Sequence, residues 1–381
     1  MNSDWTKVRL NELADITMGQ SPSSEHYNLE GIGLPFFQGC SDFGELYPSE
    51  RKYCSKPTRI AKRGDVLMSV RAPVGDLNIA NKECCIGRGV CSIRSKTGDR
   101  FVYYLLKVNL RLIQSYSGGT TYQSINKKEV NELPLFVPTL IIQQKIAAIF
   151  SSYDNLIENN TRRIQILEEM AQRIYKEWFV DFKYPGHEND ELVDSELGMI
   201  PEGWSIAKMG DVFKIYNGKG IKPGGKGKYL VYGSNGIIGR SDNYKSSNAI
   251  IIGRVGAYCG SIVYCINKFW ASDNTIIAEP IPELFSIPYA YHMLQKLNLN
   301  RYAGGAAQPL LTQTVIKKIP VVVPKNTVVV FFEEIVNDKI RKIEYLKKVN
   351  ANLRQTRDLL LPKLISGKVD VSDLDIEIGE T

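Results

Sequence analysis

Four lysines and five glycines are interleaved in one short segment, a combination suited to binding phosphate. The segment runs from Asn217 to Lys228, and glycine lets a backbone approach a phosphate closely while lysine adds a positive charge. It is not a Walker A loop, because the nearest match, starting at Gly220, has Gly227 where serine or threonine is needed. A solvated, flexible loop is the alternative. The candidate phosphate-binding residues are Lys219, Lys222, Lys226 and Lys228.

Two segments built around a glycine pair carry side chains that could contact DNA. Glutamine can form two hydrogen bonds with adenine, and threonine and tyrosine hydroxyls can hold phosphate. The alternative is a tight structural turn. The candidates are Ser117, Gly118, Gly119, Thr120, Thr121, Tyr122 and Gln123 in the first segment, and Gly304, Gly305 and Gln308 in the second.

Two arginines follow apolar runs that read as buried strands. Arg71 follows the run at 66–70 and Arg254 follows the run at 249–252, and the two arginines are predicted to occupy matching loops of the repeat. Each could contact DNA or form a structural ion pair, and the basic surroundings of Arg254 favour DNA contact there. Tyr258 is a weaker candidate in the same loop.

The residues that catalysis would need are missing from the sequence. An N6-adenine methyltransferase would need an Asn/Asp-Pro-Pro-Tyr/Phe tetrapeptide, but the chain has no Pro-Pro dipeptide. No Gly-x-Gly-x-x-Gly motif follows a predicted strand, and the richest acidic stretch lies in a polar linker. Three scattered histidines and seven cysteines without a Cys-x-x-Cys pair argue against a metal site and a disulfide framework. We therefore expect no catalytic site, no metal, and buried, reduced cysteines.

The positive charge is concentrated in part of the chain. Residues 205–325 contain 15 lysines and arginines against five aspartates and glutamates, residues 1–140 contain 18 against 14, and residues 141–200 contain six against eleven. Two basic blocks, each followed by a neutral or acidic one, fit two phosphate-facing modules. No apolar run is long enough to span a bilayer and the N-terminus lacks a signal-peptide core, so we expect a cytoplasmic protein.

An internal repeat accounts for this distribution of charge. Residues 117–125 align without gaps to residues 303–311, and the same register superposes Leu133-Pro134 on Ile319-Pro320. A tryptophan opens each block, at Trp5 and Trp204. The chain is therefore predicted to be a tandem duplication in which each globular module is followed by a helix.

Each module is predicted to mix strands and helices. Apolar runs at 66–70, 249–252 and 275–278 are typical of buried strands, whereas 101–112 and 287–297 have helical periodicity. The overall class is therefore α+β. Strand order does not follow from these patterns.

Two long segments carry apolar residues at steps of three and four, close to the coiled-coil period, with one break around Asn160. Antiparallel pairing of the two helices would bury both stripes and place the modules at opposite ends. The alternative is that each stripe packs on its own module. The residues predicted at the coiled-coil or partner interface are Ile146, Ile149, Tyr153, Leu156, Leu167 and Trp178 in the first helix, and Val336, Ile340, Ile343, Leu346, Leu353 and Leu360 in the second.

Four phrases, in this order beside a duplication, resemble the specificity subunits of type I restriction-modification systems. They begin at Gln143 (QQKIAAIF), Glu177 (EWFVDF), Leu197 (LGMIPEGW) and Leu359 (LLLPKLISG). The resemblance covers essentially the whole chain.

The resemblance implies two tandem mixed α/β target-recognition domains, separated by two long helices that form an antiparallel coiled coil with pseudo-twofold symmetry. The first domain would read the 5′ half and the second the 3′ half of a split DNA site, with the coiled coil setting the spacer. The implied segments are target-recognition domain 1 (1–140), long helix 1 (141–182), a linker (183–203), target-recognition domain 2 (204–325), long helix 2 (326–366) and a C-terminal tail (367–381).

The resemblance also implies the partners. They are double-stranded DNA, two adenine methyltransferase subunits that would bind S-adenosylmethionine, and restriction/translocase subunits that would bind ATP and magnesium. This chain itself would bind no cofactor. A coiled-coil scaffold that binds only protein remains the alternative function, and a subunit that pairs with a methyltransferase but no nuclease is a variant of the first.

Overall fold

The computed structural model describes residues 5–118, 123–305 and 308–376. The chain divides into two compact units. Unit 1 comprises the described residues of 1–161 and 348–381, and unit 2 comprises residues 162–305 and 308–347. The helices are α1 (Leu10–Leu13), α2 (Phe101–Val108), α3 (Leu110–Ser115), α4 (Lys127–Asn131), α5 (Leu140–Phe179), α6 (Met209–Val212), α7 (Ile287–Lys296), α8 (Gln313–Lys317) and α9 (Asn326–Ile365).

Unit 1 is built on a four-stranded antiparallel sheet in the order β2-β10-β7-β8. A five-stranded sheet, β3-β5-β4-β9-β6, packs on one face, and β1 pairs with β11 separately. The strands are β1 (Thr6–Arg9), β2 (Ala14–Met18), β3 (Tyr27–Asn28), β4 (Leu34–Phe37), β5 (Tyr53–Cys54), β6 (Ile60–Ala61), β7 (Val66–Ser69), β8 (Leu77–Ile79), β9 (Cys84–Ile86), β10 (Val90–Ser95) and β11 (Pro134–Val137).

Unit 2 repeats this plan. Its four-stranded sheet has the order β15-β21-β18-β19, β14 pairs with β22, and a three-stranded sheet, β17-β16-β20, replaces the five-stranded one. The predicted internal repeat is thus confirmed by strand order. The strands are β12 (Leu192–Val193), β13 (Ile200–Pro201), β14 (Ser205–Lys208), β15 (Phe213–Asn217), β16 (Tyr229–Gly233), β17 (Gly236–Ser241), β18 (Ala249–Gly253), β19 (Ile262–Cys265), β20 (Phe269–Ala271), β21 (Thr275–Pro280) and β22 (Pro320–Val323).

The central strands are continuously apolar because both faces of each sheet are covered. Successive side chains of a strand point to opposite faces, so Val66 and Met68 join the core that contains α2, while Leu67 faces the five-stranded sheet. In unit 2, Ile250 and Ile251 divide between two clusters in the same way.

The helix predicted over 101–112 is interrupted. It forms α2 and α3, separated at Asn109, whose side-chain amide donates to the Leu105 carbonyl oxygen at 2.8 Å. Asparagine competes for backbone hydrogen bonds in this way and weakens a helix interior. Apolar periodicity continues across the interruption, which is why the sequence predicted one helix.

In unit 1, α5 and α9 pack antiparallel, and the centre of their contact is polar. Asn160 Nδ2 donates to Asn350 Oδ1 at 2.9 Å, and Arg357 Nη1 donates to Asp154 Oδ1 at 2.7 Å. All four side chains are buried. The break in the apolar stripe at Asn160 is therefore a hydrogen-bonded pair inside the contact.

Leu156 is 52% exposed and lies outside the helix contact, where the neighbouring Ile157 is buried instead. Its place at a partner interface stays a prediction. The predicted stripe took a step of three residues after Tyr153, whereas the buried side chain lies four residues after it. Ile146 is buried in the unit 1 core, where Ile149, Tyr153 and Leu360 pack partly buried, and Leu353 is half-buried.

In unit 2, the other halves of α5 and α9 meet through apolar groups. The rings of Trp178 and Phe331 are 5.5 Å apart, and Val336 and Ile343 are buried. Ile340 packs against the unit 2 core, and Leu167 and Leu346 are half-buried. Helix pairing and packing on the helix's own module therefore both occur.

Candidate nucleic-acid interface

In unit 1, several loops meet at one edge of the four-stranded sheet. The end of β2 lies beside the start of β10, where the Gly19 amide donates to the Val90 carbonyl oxygen at 2.9 Å. The Val70 amide, just after β7, donates to the Gly89 carbonyl oxygen at 2.9 Å. A Cβ atom on Gly19 would lie 2.2 Å from the Gly87 carbonyl oxygen, so this crossing requires glycine.

The two flanks of the first predicted glycine-pair segment pair with each other at this edge. The amide and carbonyl groups of Gly118 and Ser124 exchange two hydrogen bonds of 3.0 Å, and the Ile125 amide donates to the Val70 carbonyl oxygen at 3.0 Å. Ser117 is half-buried and donates to the Gln114 carbonyl oxygen, whereas Gln123 is exposed. Four predicted residues lie outside the described residues: Gly119, Thr120, Thr121 and Tyr122.

The flanks of the second segment make the same backbone hydrogen bonds in unit 2. Gly304 and Leu310 exchange hydrogen bonds of 3.0 and 2.8 Å, and the Leu311 amide donates to the Arg254 carbonyl oxygen at 2.8 Å. Gly305 has φ of +94°, a conformation that favours glycine. Gln308 is exposed in this segment. The gapless alignment of the two segments is thus reproduced in their hydrogen bonds.

Arg71 and Arg254 are not equivalent, which corrects the predicted match. Ile125 and Leu311 are aligned in the repeat, and their amides donate to the carbonyl oxygens of Val70 and Arg254. Arg254 therefore corresponds to Val70, and Arg71 corresponds to Val255. Because neighbouring side chains of an extended chain point to opposite faces, the two arginines differ in exposure. Arg71 is exposed, whereas Arg254 is half-buried and its Nε has no hydrogen-bond partner among the described residues.

The lysine-rich segment is anchored by its backbone while its lysine side chains stay in solvent. The Lys219 amide donates to the Ala271 carbonyl oxygen at 2.9 Å, and the Lys219 carbonyl oxygen accepts from Trp270 Nε1 at 2.8 Å. Farther along, Gly224 and Arg240 exchange backbone hydrogen bonds. All four lysines are exposed, and within the described ranges none lies within 4 Å of a carboxylate.

The remaining candidate, Tyr258, is 52% exposed in a short 3₁₀ turn that follows β18. The turn lies close to the C-terminal flank of the second glycine-pair segment, because the Gly256 amide donates to the Pro309 carbonyl oxygen at 3.1 Å. Unit 2 thus gathers these loops at the edge that corresponds to the loop edge of unit 1.

Sequence reasoning missed two basic residues at the unit 1 edge. Arg88 and Arg59 are both exposed. Arg88 follows β9, and Arg59 directly precedes β6, the strand that pairs with β9. The Arg88 amide donates to Ser21 Oγ at 3.3 Å, and the Ile86 amide donates to the Arg59 carbonyl oxygen at 3.0 Å. The glycines that flank Arg88 were the available signal.

Six of the seven cysteines are buried, as predicted, and burial raises the pKa of Cys84 and of Cys91 to about 12. Among the described residues, no three histidine, cysteine, aspartate or glutamate side chains are grouped as metal ligands would be. No helix in the described ranges has an apolar stretch long enough to cross a membrane.

Comparison with known proteins gives consistent matches. A family model described as type I restriction modification DNA specificity domain matches residues 2–169 and 201–353. The MjaIX type I restriction enzyme specificity subunit of Methanocaldococcus jannaschii is 27% identical over 415 residues, which cover 97% of this chain and 95% of that protein. A second protein of that organism, assigned as the MjaX specificity subunit, is 39% identical over 176 residues, 45% of this chain and 41% of its own length. The crystal structure of a type I S subunit from M. genitalium shares the fold, with a TM-score of 0.63, 22% identity and coverage of 95% and 96%.

Proposed function

The chain belongs to the type I restriction-modification DNA specificity family and is a DNA specificity subunit, and we propose that each unit reads one half of a split DNA sequence. The observation that carries this proposal is the repeated loop edge. In each unit the residue after the glycine-pair segment, Ile125 or Leu311, bonds to the residue that follows the same central strand, so the chain has two equivalent surfaces whose side chains differ. Equivalent surfaces with different side chains suit two different half-sequences.

The long helices are proposed to set the distance between the half-sequences and to bind two adenine methyltransferase subunits. Half-sites read from the same side of a duplex lie about 34 Å apart, one turn of DNA. Restriction/translocase subunits would complete the assembly, which would act in the cytoplasm. The chain would supply recognition but no catalytic group and no cofactor site, with S-adenosylmethionine bound by the methyltransferase and ATP and magnesium by the restriction subunits.

A genome-wide map of methyladenine tests this function. A host without DNA methylation would express the chain together with its methyltransferase subunit. The expected result is a split motif, with two short specified halves around an unspecified spacer, that is present only with this chain. Methylation that is contiguous, or that does not depend on the chain, would refute the proposal.

A matched experiment tests the spacer. Four residues, about one helical turn, are inserted into the exposed part of α9 and of α5. We expect a longer spacer and unchanged half-sequences. Altered half-sequences would refute the role of the helices in spacing.

A further inference from the structure

A basic groove runs along the edge hairpin β16–β17 of unit 2, and we call it the Lys268 groove. It encloses about 950 Å³, and its charged lining residues are Lys228, Arg240, Lys268, Lys347 and Glu344. Lys347 Nζ lies 3.6 Å from a Glu344 carboxylate oxygen, so these two charges offset each other. The other three cations give the groove its positive potential.

These three cations lack acidic partners. Lys228, Arg240 and Lys268 are exposed, and in the part of the chain that the structure describes none of them lies within 4 Å of a carboxylate. An unpaired cation inside a concave surface attracts an anionic ligand more strongly than one on a convex surface, because the low-dielectric walls focus the field.

Two tyrosine rings hold the two lysines in place. Lys268 Nζ lies 4.2 Å from the centre of the Tyr244 ring, and Lys228 Nζ lies 5.6 Å from the centre of the Tyr229 ring. The two rings are themselves 5.1 Å apart. This chain of contacts restrains the ammonium groups without neutralising them, which lowers the entropy cost when both bind an anion.

The groove is continuous with the lysine-rich segment. Lys228 ends that segment, and Arg240 Nη1 donates to the Gly227 carbonyl oxygen at 3.0 Å. The lysine-rich segment therefore leads into a row of cations that crosses the three-stranded sheet, with Lys228 just before β16, Arg240 near the end of β17 and Lys268 just before β20. Duplex DNA presents phosphates at regular intervals, which suits an extended row better than a single pocket.

We propose that the Lys268 groove binds the phosphodiester backbone of duplex DNA next to the bases that unit 2 reads. This inference rests on the proposed function. Its contacts are with phosphates alone, so they add affinity and fix the position of unit 2 on the DNA without changing the bases recognised.

The test measures DNA affinity against salt concentration for the chain in complex with its methyltransferase subunits, using duplexes that contain the mapped site. Each lysine–phosphate interaction contributes about −0.9 to the slope of log K against log salt. Lys228→Gln with Lys268→Gln should therefore make the slope less negative by about 1.8. Lys228→Arg with Lys268→Arg should keep the wild-type slope, because the charge is retained. The control removes two exposed lysines outside the groove, Lys317→Gln with Lys318→Gln, and should leave the slope unchanged.

Ethylation interference should show phosphates next to the 3′ half-site that are sensitive in the wild type and insensitive in the Gln variant, with both half-sequences unchanged in the methyladenine map. A slope equal to that of the control would overturn the inference. So would weaker capture of the methyltransferase at unchanged DNA slope, since the groove would then bind protein. A wild-type complex with no preference for a split site would instead refute the proposed function, and the slope comparison would still decide the groove.

Discussion

Arg357→Ala should destabilise unit 1 by about 3–5 kcal/mol, because it leaves a carboxylate buried without its counterion. The side chains of Arg357 and Asp154 are 8% and 2% exposed, and their contact is 2.7 Å. Asp154 would keep only the hydroxyl of Tyr104, which donates to Oδ2 at 2.6 Å. Burial raises the pKa of Tyr104, and the nearby Asp154 carboxylate raises it further, so this hydroxyl stays a proton donor at neutral pH.

The same helix offers a matched control. Arg341 contacts Asp338 at the same distance of 2.7 Å, but these side chains are 76% and 69% exposed. Solvent screens such a pair, so Arg341→Ala should cost less than about 1 kcal/mol. The two substitutions remove the same chemical group and differ in burial.

Unit 2 indicates how the buried charges could be replaced. At the positions equivalent to Asp154 and Arg357, α9 and α5 carry Ile340 and Ala171, which belong to an apolar contact. The variant Asp154→Ile with Arg357→Met and Tyr104→Phe should therefore lie within about 1 kcal/mol of the wild type or be more stable, since well-packed apolar groups often replace buried ion pairs without a penalty.

Hydrogen exchange followed by mass spectrometry is the appropriate assay, because the two units need not unfold together. Peptides from α2 and from the first half of α5 report the opening free energy of unit 1, and peptides from α7 report that of unit 2. If Arg357→Ala lowers the opening free energy of unit 1 no more than Arg341→Ala lowers that of unit 2, the role of burial would be refuted. A triple variant as unstable as Arg357→Ala would refute the role of the unpaired charge.

The remaining predictions concern pH, backbone geometry and phosphate contacts. Burial lowers the pKa of His292 to about 4 from an unfolded value near 6.5, so the unfolded state takes up a proton first as the pH falls. The free energy of unfolding of unit 2 should therefore fall by about 3 kcal/mol between pH 6.5 and 4. His292→Phe should remove this dependence on pH when hydrogen exchange is measured over the same range. Gly218→Ala would place a Cβ atom 1.9 Å from a carbonyl oxygen, whereas Gly225→Ala meets no atom within 4 Å, so only the first should lower the melting temperature; equal melting temperatures would contradict the glycine requirement. Lys222→Ala with Lys226→Ala should lower the salt slope of DNA binding by about 1.8 without changing the methylated motif, and an unchanged slope would remove the lysine-rich segment from the interface.

Much of the fold could be predicted because periodicity is a local signal and a duplication is found by aligning the chain with itself. The gapless match of the two glycine-pair segments predicted equivalent positions, and the bonds of Gly118 with Ser124 and of Gly304 with Leu310 confirm this for their flanks. Buried strands were found at Val66 and Ala249 because coverage on both faces makes every position apolar.

The errors came from one-residue choices that periodicity does not determine. Placing Arg254 opposite Arg71 instead of Val70 exchanged the exposed and inward faces of an extended segment. A step of three residues instead of four after Tyr153 selected Leu156 over Ile157. In both cases the deciding information was a partner far along the chain.

The polar centre of the unit 1 helix contact was not predictable from the sequence either. Asp154 and Arg357 are 203 positions apart, and only the register of α5 against α9 brings them together. Charged residues on a helix are usually solvated, so neither residue alone signals burial. The DNA-contacting roles assigned to the loop residues remain predictions.

The discontinuity of unit 1 has a consequence for synthesis of the chain on the ribosome. Leu361, Leu364 and Ile365 complete the core around Phe150, yet almost two hundred positions of unit 2 are translated in between. Unit 2 is continuous in sequence and can fold first, whereas the N-terminal module waits with an apolar face uncovered until α9 emerges. We therefore expect unit 1 to be completed after unit 2, the reverse of the usual order during translation, in which the earlier domain is finished first.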